Sequence, residues 1–180
     1  TKTTAEHAAV LAGGCFWCVE AVYKSLKGVH SVRSGYAGGT AETADYKAVC
    51  SGTTDHAEVI EIRYDPSQTS YGELLKFFFA IAHDPTQLNR QGNDVGTQYR
   101  SGIYVTSDTQ RAAAEASKAD FGSILRGHGF SEITTEIVDA PEFYFAEDYH
   151  QQYLAKNPSG YCGLGGTGVA CPIGTGVAAE

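Results

Sequence analysis

A pair of glycines separates an apolar run from a helical pattern near the start of the chain. Residues 8–12 form the apolar run, which has the length and composition of a buried strand. Gly13 and Gly14 predict a turn, and the apolar residues that follow Phe16 recur at helical spacing until Gly28. Those helical positions are Val19, Val22, Tyr23 and Leu26. The sequence therefore predicts a strand, a tight turn and a helix in direct succession.

The rest of the chain continues this alternation of strand and helix patterns. The further predicted strands are 29–36, 56–65, 103–106 and 133–138. The further predicted helices are 46–50, 70–82, 107–126 and one that begins after Pro141. A chain of 180 residues is too short for a large doubly wound sheet. We therefore expect an α/β fold: a two-layer sandwich of a mixed sheet with helices and long coil segments, in one domain that spans residues 1–180.

The charge and the cysteine count exclude several classes of protein. The net charge is -8 and lysine and arginine are not clustered, which argues against binding to nucleic acid or to an anionic membrane. No apolar stretch has membrane-spanning length, and the N-terminus lacks the pattern of a secretory signal. Five cysteines, an odd number without framework spacing, favour reduced thiols. We expect a cytoplasmic monomer, although a removed organelle leader would leave no trace.

Cys15 follows the glycine turn and begins the first predicted helix. Unpaired backbone N–H groups and the positive end of the helix dipole stabilise a thiolate at such a position. Cys15 is therefore the leading candidate for a nucleophile, and the alternative is an inert buried cysteine. Phe16 and Trp17 come next and form either the wall of a small apolar pocket or part of the core.

Glu58 lies in a strand whose residues alternate with period two. That period puts Glu58 on the same face as Ile60, Ile62 and Tyr64. A carboxyl group that points into a core has a raised pKa and remains protonated near neutral pH, ready to act as an acid. The alternative is that Glu58 lies at the end of the strand and reaches solvent.

Two segments have the composition of coil. Residues 83–100 are polar and rich in turn formers, and a connection of that length inside a compact domain is often functional. Residues 159–180 contain seven glycines with no helical or strand period, and they carry Cys162 and Cys171. This composition predicts a flexible tail.

Several blocks of sequence together resemble one enzyme family. They are Gly14-Cys15-Phe16-Trp17, Tyr46 with Val49-Cys50-Ser51-Gly52, His56-Ala57-Glu58-Val59, Gly92-Asn93-Asp94 with Gly96 to Ser101, and Ala146 to Tyr153. In this order, from residue 11 to residue 172, they resemble the peptide methionine sulfoxide reductases of the A class. The resemblance implies a ferredoxin-like core. It also implies thiol-dependent reduction of the S epimer of methionine sulfoxide, free or in proteins, without a cofactor or a metal.

The resemblance also assigns roles to individual residues. It implies that Cys15 is the nucleophile and that Glu58 is the acid which protonates the sulfoxide oxygen. Residues that match Tyr46 and Tyr99 donate hydrogen bonds to that oxygen, and one that matches Asp94 helps to shape the pocket. Those implied to receive the substrate methyl group are Phe16, Trp17 and Tyr153.

The same resemblance implies how the enzyme is recycled. Attack on the sulfoxide leaves a sulfenic acid on Cys15. Cys162 then condenses with it, and Cys171 attacks Cys162 to give a disulfide that thioredoxin reduces. Most members of the family have glycine where this chain has Cys18, so Cys18 is an alternative first resolving thiol; we favour Cys162. Cys50 is interpreted as a structural residue of a packed block.

Two other functions compete with this one. Cys15-x-x-Cys18 is the spacing of a thioredoxin-type dithiol oxidoreductase, but that function leaves Glu58 and the cysteines of the tail unexplained. A structural zinc site is the second alternative, although its second pair of cysteines is too widely spaced for the usual knuckle. Its ligands would be Cys15, Cys18, Cys162 and Cys171.

Overall fold

The strands of the protein form one large sheet and one small hairpin. We describe the structure, a computed structural model, for residues 7–91 and 94–156. Within that part of the chain the large sheet contains β1 (Ala8–Gly13), β2 (Val29–Ala37), β3 (Ala57–Tyr64), β6 (Ser101–Val105), β7 (Glu136–Asp139) and β8 (Phe143–Phe145). The hairpin pairs β4 (Arg90–Gln91) with β5 (Asp94–Val95).

The described residues form five α-helices, α1 (Phe16–Lys24), α2 (Tyr46–Cys50), α3 (Tyr71–Phe77), α4 (Asp108–Gly127) and α5 (Tyr153–Lys156). Three of them, α2, α3 and α4, begin at a residue whose side chain caps them. The Ser70 hydroxyl accepts the backbone N–H of Glu73 at 3.2 Å, and Ser107 caps α4 in the same way. The predicted helix 70–82 is α for its first part and continues as a π-helical turn, Phe78–Ala82. Short 3-10 turns are formed by Ala41–Thr43, Thr97–Tyr99 and Asp148–His150.

The large sheet is mixed and has the strand order β7-β6-β1-β3-β2-β8. Only the β6–β7 pair of this sheet is parallel. Its four central strands have the order β6-β1-β3-β2, with α1 between β1 and β2 and α3 between β3 and β6. This βαββαβ arrangement confirms the ferredoxin-like core that the resemblance implied.

The helices lie on one face of the sheet and form the main core with it. Phe16 of α1, Leu74 of α3 and Phe121 of α4 are buried in one cluster with Leu11 and Ile60 of the central strands. A smaller buried cluster, which includes Val59 and Tyr104, covers the opposite face. Successive residues of β3 thus alternate between the two clusters, as the period-two pattern predicted, and the two-layer sandwich is confirmed.

Two predictions near the end of the chain are correct only in part. A helix was expected after Pro141, with Tyr149, Tyr153 and Leu154 on one side, but residues 143–145 first form β8, because their backbone pairs with the edge of β2. The chain becomes helical only in the 3-10 turn Asp148–His150 and in α5. The strand predicted at 133–138 begins only at Glu136. Before it, the backbone N–H of Thr134 donates to the Pro85 carbonyl at 2.7 Å, so this residue is bonded to the long loop instead of the sheet. No described helix combines the length and the apolarity that crossing a membrane requires.

Candidate active site

Cys15 lies at the junction between β1 and α1. Gly14 has a φ of +92°, a left-handed conformation that side chains other than glycine rarely adopt. Cys15 is the N-cap of α1, and its carbonyl accepts the backbone N–H groups of Cys18 and Val19 at 3.2 and 3.3 Å. Its sulfur is a free thiol and is partly exposed. The turn predicted from the glycine pair is therefore confirmed, and it presents Cys15 at the end of the sheet.

Glu58 lies beside this junction and is only 2 % exposed. β1 and β3 are antiparallel and pair Leu11 with Ile60, so Glu58, two residues before Ile60, lies next to the end of β1. The backbone N–H of Phe16 donates a hydrogen bond of 3.2 Å to Oε1 of Glu58. The carboxyl group is thus fixed to the first turn of α1. The solvent-exposed alternative for Glu58 is wrong.

Burial keeps both groups protonated near neutral pH. It raises the pKa of the Glu58 carboxyl from 4.5 to about 8, against the effect of the Phe16 N–H and with a further rise from Asp94. It raises the pKa of the Cys15 thiol from 9.0 to about 12, and the charge of Glu58 adds to this rise. The N–H groups of Trp17 and Cys18 lower the pKa of Cys15 but do not reverse the change. The expected thiolate is therefore wrong for the free protein.

The two tyrosines and the aspartate expected at the site all interact electrostatically with the Glu58 carboxyl. Tyr46 is the first residue of α2, and Tyr99 ends the 3-10 turn before β6. Burial raises the pKa of both phenols, and negative charge on Glu58 raises each of them further. Burial also raises the pKa of Asp94, which in turn raises that of Tyr99. Both phenols therefore keep their protons and remain hydrogen-bond donors.

Aromatic rings form a wall next to the thiol. Trp17 stacks on Tyr153 with ring centroids 3.9 Å apart and planes 14° apart. Tyr46 lies 6.1 Å from Trp17, and the buried Phe16 lies 6.5 Å from it. The structure therefore brings the three predicted methyl-binding residues into one aromatic group.

Sequence reasoning missed two residues of this group. The imidazole of His150 accepts the Trp17 indole N–H at 2.9 Å. Glu147 accepts the Tyr36 hydroxyl at 2.9 Å and the backbone N–H of Tyr46 at 3.1 Å. Both residues lie in the block 146–153 that carried part of the resemblance, where only Tyr153 was given a role. Their signal was thus present in the sequence, but the partners that reveal their roles are more than 100 residues away.

The cysteines are not all in the states that were expected. Cys18 is buried and disulfide-bonded. Cys15 and Cys50, in contrast, are free thiols. Cys50 is exposed, so the expected packing around it is wrong. Cys162 and Cys171, expected to resolve and recycle the enzyme, lie outside the described residues.

The disulfide also bears on the proposed zinc site. A sulfur in a disulfide is not a thiolate and does not bind zinc as one. Within residues 7–91 and 94–156, no three histidine, cysteine, aspartate or glutamate side chains are grouped in a way that would hold a metal ion.

Comparison with known proteins places the chain in a family. The family model "Peptide methionine sulfoxide reductase" matches residues 7–168. A peptide methionine sulfoxide reductase MsrA of Rhodospirillum centenum is 58% identical over 172 residues, which cover 96% of this chain and 78% of that protein.

Solved structures agree with this match. Methionine sulfoxide reductase A of Corynebacterium diphtheriae superposes with a TM-score of 0.81 at 42% identity, over 92% of this chain and 81% of that one. Mxr1 from Saccharomyces cerevisiae in complex with Trx2 superposes with a TM-score of 0.58 at 26% identity, over 88% and 86%. The chain therefore belongs to the peptide methionine sulfoxide reductase family, in its A class, and is an oxidoreductase that reduces methionine sulfoxide to methionine.

Proposed function

We propose that the chain reduces the S epimer of methionine sulfoxide, free or within proteins, with Cys15 as nucleophile and Glu58 as acid. The observation that carries this proposal is the environment of the Glu58 carboxyl group. This group is 2 % exposed and its pKa is raised to about 8. It is also hydrogen-bonded to the first turn of the helix that Cys15 caps. A sulfoxide sulfur is a poor electrophile until its oxygen is protonated or strongly hydrogen-bonded. An acid that is still protonated at neutral pH supplies that proton.

The proposed reaction transfers one oxygen atom and two electrons. Glu58 gives its proton to the sulfoxide oxygen while the sulfur of Cys15 attacks, and the carboxylate then takes the thiol proton. The attack forms a bond between the sulfur of Cys15 and the substrate sulfur. The hydroxyl group then moves to the sulfur of Cys15, the sulfur–sulfur and sulfur–oxygen bonds to the substrate sulfur break, and methionine leaves. Cys15 retains the oxygen as a sulfenic acid, which means that its sulfur is oxidised by two electrons while the substrate sulfur is reduced. Because the thiol proton replaces the proton that Glu58 gave, the carboxyl group ends the step in its original state.

The neighbouring side chains hold the substrate for this step. Tyr46 and Tyr99 donate hydrogen bonds to the sulfoxide oxygen, which their raised pKa values favour because the phenols stay neutral. Asp94 shapes the polar side of the pocket. The substrate methyl group lies against the aromatic residues Phe16, Trp17 and Tyr153.

Recycling requires a second thiol. Cys162 condenses with the Cys15 sulfenic acid and releases water, Cys171 then attacks Cys162, and thioredoxin reduces the last disulfide. The structure of the yeast relative Mxr1 in complex with Trx2 supports thioredoxin as the reductant. We favour Cys162 over Cys18 as the first resolving thiol; disulfide mapping after a single turnover tests this choice, and a dominant Cys15–Cys18 bond would contradict it.

Turnover with each epimer of methionine sulfoxide, with dithiothreitol as reductant, tests the proposal. We expect reduction of the S epimer only, and its loss in Cys15→Ser. Equal turnover of both epimers, or disulfide exchange without sulfoxide reduction, would favour a general dithiol oxidoreductase. One zinc ion per chain on elemental analysis would instead support the structural zinc site.

We also propose that residues 1–180 form one domain that acts as a cytoplasmic monomer. An odd number of cysteines without framework spacing supports a reducing compartment. Light scattering on the reduced protein checks the oligomeric state, and a stable dimer would contradict it.

A further inference from the structure

One buried imidazole contacts most of the aromatic wall. His150 is 1 % exposed, and its ring centroid lies 4.3 Å from that of Tyr46, 5.3 Å from Phe16 and 5.5 Å from Trp17. Its Nδ1 accepts the indole N–H of Trp17 at 2.9 Å. Among the described side chains, this is the polar contact that fixes the rotation of the indole ring.

We propose that His150 is a positioning residue, which orients Trp17 and thereby sets the shape of the pocket for the methyl group of methionine sulfoxide. This inference rests on the residue roles proposed above and goes beyond them, because it gives a role to a residue that does not itself touch the substrate. If the indole rotated about its side-chain bonds, it would present sometimes its edge and sometimes its face to a ligand. A single fixed orientation is what a small apolar pocket requires.

The hydrogen bonding of His150 supports a role in positioning over a role in stability. An Nδ1 that accepts a hydrogen bond puts the ring proton on Nε2. That Nε2 is buried and has no hydrogen-bond partner among the described residues. A buried donor without a partner destabilises a folded protein, so a phenyl ring of similar shape would serve the core better. What the imidazole supplies, and a phenyl ring does not, is the acceptor for Trp17.

The backbone around His150 is fixed to the sheet. Gln151, the next residue, donates from Nε2 to the carbonyls of Ser34 and Ala146 at 2.8 and 3.0 Å. Its Oε1 accepts the backbone N–H of Ser34 at 3.0 Å. Ser34 belongs to β2, a central strand of the large sheet. The backbone that carries the imidazole is therefore bonded to a central strand of the sheet, which holds His150 in place against Trp17.

Trp17 is the single tryptophan of the chain, so its fluorescence reports directly on this contact. The test compares wild type with His150→Phe, which removes the acceptor, and His150→Asn, whose Oδ1 can accept in place of Nδ1. Tyr149→Phe is the matched control, because Tyr149 lies in the same turn and loses one hydrogen bond to Glu147 without contact to Trp17. Each protein is assayed for urea unfolding, tryptophan emission, and the kcat and KM for methionine S-sulfoxide.

We expect His150→Phe to unfold at the same or higher urea concentration, to change the emission of Trp17, and to lower kcat/KM about tenfold, mainly through KM. His150→Asn should restore most of the emission and kcat/KM, and Tyr149→Phe should match wild type. A His150→Phe protein with wild-type emission and kcat/KM would overturn the inference, as would one with lost activity that His150→Asn does not restore. If His150→Phe does not fold, His150→Asn is the deciding variant: emission and kcat/KM close to wild type support the inference, and loss of both contradicts it. A wild-type protein without sulfoxide reduction would overturn the proposed function instead.

Discussion

Replacement of Glu58 by glutamine should stabilise the protein while it removes the proposed acid. Between the ordinary pKa of 4.5 and the raised value of about 8, the folded state binds a proton that the unfolded state releases. Stability from this group is therefore fully present below pH 4.5 and is lost as the pH rises to about 8. The loss amounts to about 1.4 kcal/mol per pH unit, or about 3 kcal/mol at pH 7. The introduced glutamine would remain neutral, and its side-chain oxygen would still accept the Phe16 N–H.

The measurement is urea unfolding of wild type and Glu58→Gln in the same redox state at pH 5, 6, 7 and 8. We expect the variant to gain stability relative to wild type at each step, until the difference levels off above pH 8. Single-turnover reduction of methionine S-sulfoxide should meanwhile become much slower in the variant. In wild type its rate should fall about tenfold from pH 7 to pH 9, because the acid form is lost.

A stability difference that does not change with pH would refute the burial argument, because it would mean that Glu58 titrates alike in the folded and unfolded states. A variant that reduces the sulfoxide at the wild-type rate would refute the role of Glu58 as acid. Glu61→Gln is the matched control, since Glu61 lies on the same strand and is partly exposed.

Three further predictions concern other parts of the chain. His83 is fully buried, and burial lowers its pKa from 6.5 to about 4, so NMR should find a neutral ring down to that pH. As the pH falls from 6.5 to about 4, protonation of this histidine in the unfolded state should reduce the unfolding free energy by about 1.4 kcal/mol per pH unit. A normal titration near 6.5 would contradict this. Gly14→Ala should lower the unfolding free energy by about 2 kcal/mol, because its φ is +92° and a Cβ would lie 2.6 Å from Gln91 Cγ; wild-type stability in urea would contradict it. Cys171→Ser should retain turnover with dithiothreitol and lose most of it with thioredoxin, and equal loss with both reductants would argue against its place in the relay.

The location of Glu58 could be predicted from the sequence because strand periodicity is a local property. The pattern around Ile60 and Ile62 was enough to assign the face of the strand. Whether the carboxyl group reached solvent could not be decided, because that depends on α1, which covers it and donates the Phe16 N–H. The burial of the Glu58 carboxyl group is therefore a result of tertiary packing, which the strand pattern does not reveal.

For the protonation state of Cys15, in contrast, the argument from the sequence did not hold. A helix N-terminus lowers the pKa of a thiol, and the N–H groups of Trp17 and Cys18 do so here. Burial and the charge of Glu58 outweigh them, and neither can be read from the residues next to Cys15. A correct local argument therefore gave the wrong protonation state.

The errors in secondary structure have a similar cause. Pro141 is a frequent start for a helix, yet the residues after it form β8, because the edge of β2 offers backbone partners more than 100 residues away. The residues before β7 bond to Pro85 in the long loop, which no periodicity reveals. The order of the central strands was available only through the family resemblance.

The most direct test of the central claim is a single turnover in which the oxidised sulfur is trapped. A variant with serine at positions 18, 162 and 171 retains Cys15 and Cys50 and receives one equivalent of methionine S-sulfoxide in the presence of a reagent specific for sulfenic acids. We predict one equivalent of methionine and a label on Cys15 alone, with both lost in the further variant Cys15→Ser. A label on Cys50, or methionine formed without Cys15, would contradict the account.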